Sequence, residues 1–495
     1  MLYATTLSLL ALAFFSLASG TPSVASVYDC TKAKGVPIVK PGDSSFAELA
    51  EPFNLRLRYT PKVIVLPTTA QHISDAIICA GEEDGKIKIQ ARGGGHSYAS
   101  FSSGGQDGSM IINLQNFQDI KLDKETNLVR VGGGVRLGNL AQGIYDQGKR
   151  ALPHGTCPGV GIGGHATHGG YGYTSRTWGL ALDTIVGLDV VLPNGTITYI
   201  TDKQHPDIYW ALRGASESFG VVYNFYMKTN PAPQKITYFQ FHWNEILGSR
   251  QDFIDTFRHI QDFATNSSVI DERITFGLYI DGSTYRLTGS TFGPLDEFNE
   301  KIKPELFRTI KAPSSSTVES VDWIPFLISL SDQDSLAEPL TGYDKHDTFF
   351  AKSITVPESD GLSDAALGAF HDHINNDQNP ESWYTIINLY GGPKSAVNAK
   401  TKEFASYAER NSLWVFQNYG VQTSSMPFIQ KINDVILQAQ PQTRFGAYIN
   451  YVDPTLDAKT AHELYYGQET YEKLERIKKV VDPKMLFWNP QAIGA

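Results

Sequence analysis

Two short glycine-rich stretches carry most of the residues able to do chemistry: ARGGGHSYAS at 91–100 and HGTCPGVGIGGHATHGGYG at 154–172. Eight glycines fall between Gly155 and Gly172, and at that density a backbone can approach a ligand with no side chains in the way. Successive N–H groups in glycine turns make a concave set of donors for an anion, so Arg92, Gly93, Gly94, Gly95 and Ser97 suit a pyrophosphate, with His96 close to the cofactor that carries it. Cys157 lies in the second stretch, where glycine leaves its thiol facing whatever the loop cradles. The bland alternative is a buried free cysteine acting as a small hydrophobe.

Two other chemistries suit these stretches less well. Gly159-Val-Gly161-Ile-Gly163-Gly164 imitates a dinucleotide fingerprint, but it follows Leu152-Pro153-His154 rather than the strand of a β-α-β unit. A metal at His154, His165 and His168 is disfavoured, because no carboxylate or helix near them in sequence is there to orient the rings.

Three cysteines are an odd number for an oxidising compartment. Cys30 and Cys79 lie in ordinary sequence, and a bond between them closes a loop worth about 4 kcal/mol in the chain-entropy model. Residues 1–20, MLYATTLSLLALAFFSLASG, read as a secretory leader, with an apolar stretch and the small residues Ala18 and Gly20 where a peptidase reads. Sequons at Asn194 and Asn266 are compatible with glycosylation. Asn194-Gly195 also suits a type I′ hairpin turn between VVLP and TITYI.

The elements that must position these residues follow from periodicity. From Val63 the chain reads as a strand (VIVLP), an amphipathic helix with Ile73, Ala76, Ile77 and Ala80 at helical spacing, a strand (KIKIQ) and a glycine turn. Further strands are expected at 110–114, 128–131, 186–192 and 196–200, with a helix near 139–147. Pro231-Ala-Pro233 is a plausible linker, after which strands such as ITYFQFHW and RITFGLYIDGSTYRLTGSTFG alternate with helical stretches and predict an antiparallel sheet. AYINYV (447–452) reads as a strand, and a last helix carries Tyr471, Leu474, Ile477 and Val481 on one face until Pro483 stops it.

Over 495 residues, two to four domains are expected. Hydrophobic residues at 41% and charged residues at 19% fit a globular chain rather than a disordered one. Lys+Arg 42 against Asp+Glu 52 leaves a formal charge of −10, so a nucleic acid backbone is repelled, and past the leader no apolar run is long enough for a membrane.

The two glycine stretches, with VVLPNGTI (190–197), DIYWALRGASESFGVV (207–222), YINYVDP (448–454) and LFWNPQAI (486–493), resemble the berberine-bridge-enzyme-like group of the vanillyl-alcohol oxidase superfamily, and within it the fungal secreted carbohydrate oxidases. The resemblance implies an α+β fold of two domains. The FAD domain runs from 21 to 230 and resumes from 444 to 495, and an antiparallel-sheet substrate domain occupies 231–443. It implies FAD bonded to His96 and Cys157, with Gly161, Gly163, Gly164, His165 and Val160 around it. Val160, three residues after the cysteine, goes with access of O2 to the flavin.

The implied reaction oxidises the reducing-end C1 hydroxyl of an oligosaccharide to a lactone and reduces O2 to hydrogen peroxide, with Tyr451 as base. A phenol of pKa near 10 is a poor base at neutral pH, so neighbouring charges or donors are expected to favour its phenolate. The carbohydrate oxidases carry an aspartate in the strand before a Gly-Gly pair, where SWYTIINLYGG (382–392) places Asn388, which can orient but cannot take a proton. Tyr98, Tyr384 and Trp383 are expected to meet substrate, the last two as an aromatic platform, although strand alternation turns one of that pair into the core. A monomer without a metal ion is expected. The alternatives are a related oxidase or dehydrogenase of an alcohol or secondary metabolite, and a flavin-free protein that has lost catalysis.

Overall fold

In the computed structural model, which describes residues 26–495 apart from 84, 341–344, 377–379 and 381, three main sheets place the two glycine stretches between them. The expected leader at 1–20 lies outside the described residues. The first sheet comprises β1 (Ile38–Val39), β2 (Val63–Val65), β3 (Ile89–Arg92) and β4 (Met110–Asn113) in the order β1-β2-β4-β3. The predicted strand-helix-strand unit is β2, helix Ala70–Gly81 and β3, but β4 enters between its strands, parallel to both. Thr69 caps the helix by accepting from the His72 N–H, and Ile73, Ala76, Ile77 and Ala80 are all buried, as their spacing requires. Cys79 of this helix is bonded to Cys30 of helix Val27–Ala33, which ties the start of the described chain to the sheet.

The second sheet is antiparallel, β5-β6-β10-β8-β9, from β5 (Ile120–Leu122), β6 (Leu128–Gly132), β8 (Ile185–Val191), β9 (Ile197–Ile200) and β10 (Val221–Lys228); β7 (Arg150–Ala151) pairs with β11 (Asn230–Pro231) beside it. The predicted hairpin is β8–β9, though its turn is not type I′. Gly195 N–H bonds the Leu192 carbonyl, and the positive φ falls on Gly195 (82°) rather than on Asn194. Pro193 is the reason, since its ring sets a negative φ at the first central position, where type I′ needs a positive one.

The third sheet has seven antiparallel strands, β15-β12-β14-β13-β17-β18-β16: β12 (Ile236–Trp243), β13 (Ile274–Ile280), β14 (Tyr285–Thr291), β15 (Ser315–Val321), β16 (Phe349–Pro357), β17 (Trp383–Leu389) and β18 (Ser412–Val421). One face packs Phe239, Phe241, Phe276, Leu287 and Phe416 against helices Arg250–Thr265, Asp364–Ile374 and Met426–Ala439. Alternation turns Gln240, Tyr279, Arg286, Thr288, Tyr384 and Asn388 to the other face, towards the glycine loops.

The chain then returns to the first two sheets. Ala447, Tyr465, Tyr466, Leu474 and Ile493 join the core of the second, and Leu486 and Phe487 that of the first. AYINYV is not a strand: Ile449–Tyr451 form a 3-10 turn, and only Gly446 bridges to Thr355. Tertiary contacts override the strand pattern here, because Asn450 donates to the carbonyls of His165 (3.3 Å) and His168 (3.1 Å). The last helix, Ala458–Val481, buries Ala461, His462, Tyr465, Thr470, Leu474 and Lys478, so Tyr471, Ile477 and Val481 flank the buried stripe instead of defining it. A break at Gly467 (φ 67°) changes the phase of the face.

Candidate active site

A cavity of about 880 Å³ lies between the glycine loops and the open face of the seven-stranded sheet. That is at the upper end of small-molecule sites, which run from roughly 300 to 1,000 Å³. Gly93, Gly94, Gly95, His96 and Ser97 line it on one loop and Cys157, Val160, Gly161 and Gly164 on the other. The two loops touch backbone to backbone. A Cβ on Gly94 would stand 2.2 Å from the Gly161 nitrogen, and a Cβ on Gly161 equally close to the Gly94 nitrogen. Arg136, which no motif singles out, stitches them by donating to the Gly94 carbonyl and, at 3.1 Å, to the Gly159 carbonyl. His96 stacks on Phe53 at 4.2 Å, and the Cys157 thiol is exposed towards the cavity.

Not every expected residue reaches this wall. Arg92 is buried, donates to the Leu49 carbonyl and does not line the cavity, although Gln90 and Ala91 of the same strand do. Gly163 packs under the loops, where a Cβ would meet the Gly133 carbonyl at 3.3 Å. His165 lines the cavity, but its Nε2 accepts from the Gly155 N–H at 3.0 Å, and burial, with His154 nearby, depresses its pKa to about 3. It is a neutral brace for the loop of Cys157.

The absence of a carboxylate near His168 holds only in sequence. Glu217, far along the chain, ion-pairs with His168 Nε2; burial alone would lower the histidine's pKa, but the carboxylate raises it. Among the described residues no three His, Cys, Asp or Glu are grouped to hold a metal.

Tyr451 enters the cavity on the 3-10 turn, stacked on Tyr98 at 5.7 Å and edge-on to Tyr448 at 5.0 Å. Tyr98 Oη accepts from Gln417 Nε2 at 2.6 Å. Burial pushes the Tyr451 pKa well above the ordinary value, and Tyr98, Tyr448 and Cys157 push the same way. The side chains around it therefore do not supply the expected phenolate stabilisation.

On the sheet, Asn388 faces the cavity opposite Gly277, where a Cβ would lie 2.6 Å from Asn388 Oδ1, so glycine makes the room that lets the amide point inwards. Trp383 is in the core against Phe428 (4.9 Å), as the alternation foresaw for one of the pair, and is no substrate residue. Tyr384 faces the cavity but is not a platform. Tyr279 covers one ring face at 5.6 Å and Tyr419 the other at 4.9 Å, leaving its edge and hydroxyl for a ligand.

A thiol and an imidazole on facing glycine loops, joined by backbone contacts that tolerate no Cβ, fit FAD held by its pyrophosphate and by both side chains. Comparison with known proteins agrees as to FAD. Residues 61–201 match the FAD binding domain family, and residues 447–494 the berberine and berberine-like family. The chain is 35% identical over 485 residues to the xylooligosaccharide oxidase of Thermothelomyces thermophilus, covering 95% of this chain and 94% of that one. It is 33% identical over 480 residues to the chitooligosaccharide oxidase of Gibberella zeae, covering 94% of each.

The chain belongs to the berberine-bridge-enzyme-like FAD-linked oxidases.

The solved xylooligosaccharide oxidase of Myceliophthora thermophila C1 in complex with xylobiose superposes with a TM-score of 0.88 at 34% identity, over 95% of this chain and 99% of that one. A glucooligosaccharide oxidase of Acremonium strictum, whose FAD is 6-S-cysteinyl and 8α-N1-histidyl, superposes with a TM-score of 0.86 at 31% identity, over 95% and 99%. The α+β flavoprotein fold, FAD as cofactor and membership of a family of FAD-dependent oxidoreductases are thus properties of this chain.

Proposed function

We propose that this chain oxidises the reducing-end C1 hydroxyl of an oligosaccharide to a lactone, with FAD bonded through His96 and Cys157. The observation that carries the reading is one cavity wall bearing the Tyr451 phenol, His96 and Cys157 and facing a sheet surface of hydroxyls and amides. When bound, FAD would supply the acceptor for the C1 hydride and the route of both electrons to O2, with hydrogen peroxide as the second product. Gly93, Gly94 and Gly95 present backbone to the pyrophosphate, and Arg136 keeps the two loops together. Tyr451 takes the proton of the anomeric hydroxyl, held in place by Tyr98 and Tyr448. Asn388 orients the sugar by hydrogen bonds and moves no proton.

The Cys30–Cys79 bond, the leader-like residues 1–20 and the sequon at Asn194, exposed in the β8–β9 turn, support an extracellular, glycosylated enzyme. Among the described residues no helix is long and apolar enough to cross a membrane.

The test is a peroxide assay on xylo-, cello-, malto- and chito-oligosaccharides together with mass spectrometry of tryptic peptides. A flavin bridging the peptides of His96 and Cys157 and an aldonic acid product are expected. Flavin released entirely by acid overturns the double attachment, and failure of every sugar to reduce the flavin overturns the substrate.

A further inference from the structure

Arg286 is a cation on the cavity wall that the proposed reaction does not use. It stands on β14 and faces the cavity with Gln240 and Thr288, between His242 of β12 and Tyr279 of β13 in the register of the sheet. Its guanidinium lies over the Tyr279 ring at 4.6 Å, and its Nε is buried without a hydrogen-bond partner. No ion pair reaches it among the described residues, although the chain as a whole is acidic, with a formal charge of −10. Asp332, at the end of helix Trp323–Ser331, is the carboxylate lining the same end of the cavity. Arg286 has the greater influence there: at the hydroxyls of Tyr173 and Tyr238 it lowers the pKa by more than Asp332 raises it, within shifts that burial dominates. At Tyr279 the nearer Asp281, on the β13–β14 turn, outweighs both.

A guanidinium that lines a cavity with no carboxylate paired to it is a ready partner for an anion, and its planar fork matches a carboxylate with two parallel bonds. Its place on the sheet says which part of a substrate it meets. Arg286 and Asn388 are two strands apart and one cavity-facing row apart, about 12 Å between their Cα atoms at ~4.8 Å per strand and ~3.3 Å per residue. Arg286 thus faces the cavity from a different strand and row than Asn388, beside which the reacting ring is proposed to lie.

We propose that the substrate is an acidic oligosaccharide, and that Arg286 binds the carboxylate of a uronic acid residue lying beyond the reducing-end ring. This rests on the oligosaccharide oxidase reading above. No further covalent step is involved: the carboxylate binds as an anion and leaves unchanged, while oxidation proceeds at C1.

The experiment compares an aldotriouronic acid with the same trisaccharide after its carboxyl group has been reduced to the alcohol, in the full-length holoenzyme. Because hydrogen bonds to charged groups are the strong ones, kcat/KM for the acid should exceed that for its neutral twin by about ten- to a hundredfold, mostly through KM. The advantage should shrink as salt rises, the neutral twin being indifferent to it. In Arg286→Gln the ratio of the two should fall to about one, and in Arg286→Lys, which keeps the charge but loses the fork, it should lie between. Flavin absorbance and melting temperature of each variant report folding independently.

Equal turnover of the twins by the parent enzyme overturns the inference and leaves the oligosaccharide reading intact. An acid preference that persists in Arg286→Gln also overturns it, since the charge then lies elsewhere. If neither twin nor any neutral oligosaccharide reduces the flavin, the oligosaccharide reading itself falls and takes this inference with it.

Discussion

Tyr451, in the NYVD run near the end of the chain, enters the cavity stacked on Tyr98 and edge-on to Tyr448. Replacing its hydroxyl alone, Tyr451→Phe, keeps the packing against Tyr98 and Tyr448. The rate of flavin reduction in anaerobic stopped flow should fall by about two to four orders of magnitude, the scale of general-base catalysis, with sugar affinity changing much less. Burial raises the phenol's pKa, so at neutral pH the phenolate is the minor form and its share grows with rising pH. The reduction rate should therefore climb with pH in the parent and lose that slope in Tyr451→Phe; a parent profile flat through the alkaline range assigns the proton to another group. Val160 is the other single residue with a separable effect. It lines the cavity three residues after Cys157, and Val160→Leu adds one methylene to a close-packed wall. Reoxidation by O2 should slow while reduction by sugar stays nearly intact, and a variant that reacts with O2 as fast as the parent removes Val160 from any gating role.

The glycine loops are the element on which the site depends, and their density in the sequence announced a close approach without saying to what. The approach is partly to each other: Gly94 and Gly161 leave no room for a methyl group, and Arg136 bonds across both loops. Gly94→Ala should force them apart, lowering both the flavin-to-protein absorbance ratio and the melting temperature. Gly248→Ala, where nothing lies within 4 Å of the added carbon, should do neither. A Gly94→Ala protein with full flavin content rules out the tight cradle. Strand and helix patterns elsewhere read directly, as in Ala70–Gly81 and β12 to β14, because one face of each is buried in a continuous core. The reading failed at Ile449–Tyr451, where the chain satisfies its polar groups with the histidine loop instead of a strand, and at the β8–β9 turn, where Pro193 sets the turn type.

At the scale of the molecule, the returning segment couples the two halves. Asp453, nearly buried, pairs with Lys352 of β16 at 2.6 Å and accepts from Thr455, while its carbonyl accepts from Gln491. Asp453→Asn leaves the partly buried Lys352 without its counter-charge, which costs about 2–3 kcal/mol after allowing for the lysine's partial exposure. It also loosens the turn of Tyr451. The melting temperature and the flavin reduction rate should fall together, whereas Tyr451→Phe lowers the rate alone; an unchanged melting temperature in Asp453→Asn removes the ion pair from the coupling. The sequence by itself determined the element types with buried faces, the odd cysteine left by the Cys30–Cys79 pair, and the two glycine stretches, because each is a property of neighbouring residues and their spacing. Only the tertiary structure decided that β4 enters between β2 and β3, that Glu217 meets His168, that Arg136 bridges the loops and that Arg286 faces the cavity. It also decided that Tyr384 offers an edge and Arg92 nothing to the site. These depend on which distant segments pack together and on which side of a strand a residue falls once its register is set, and a register is chosen by the whole core rather than by local pattern.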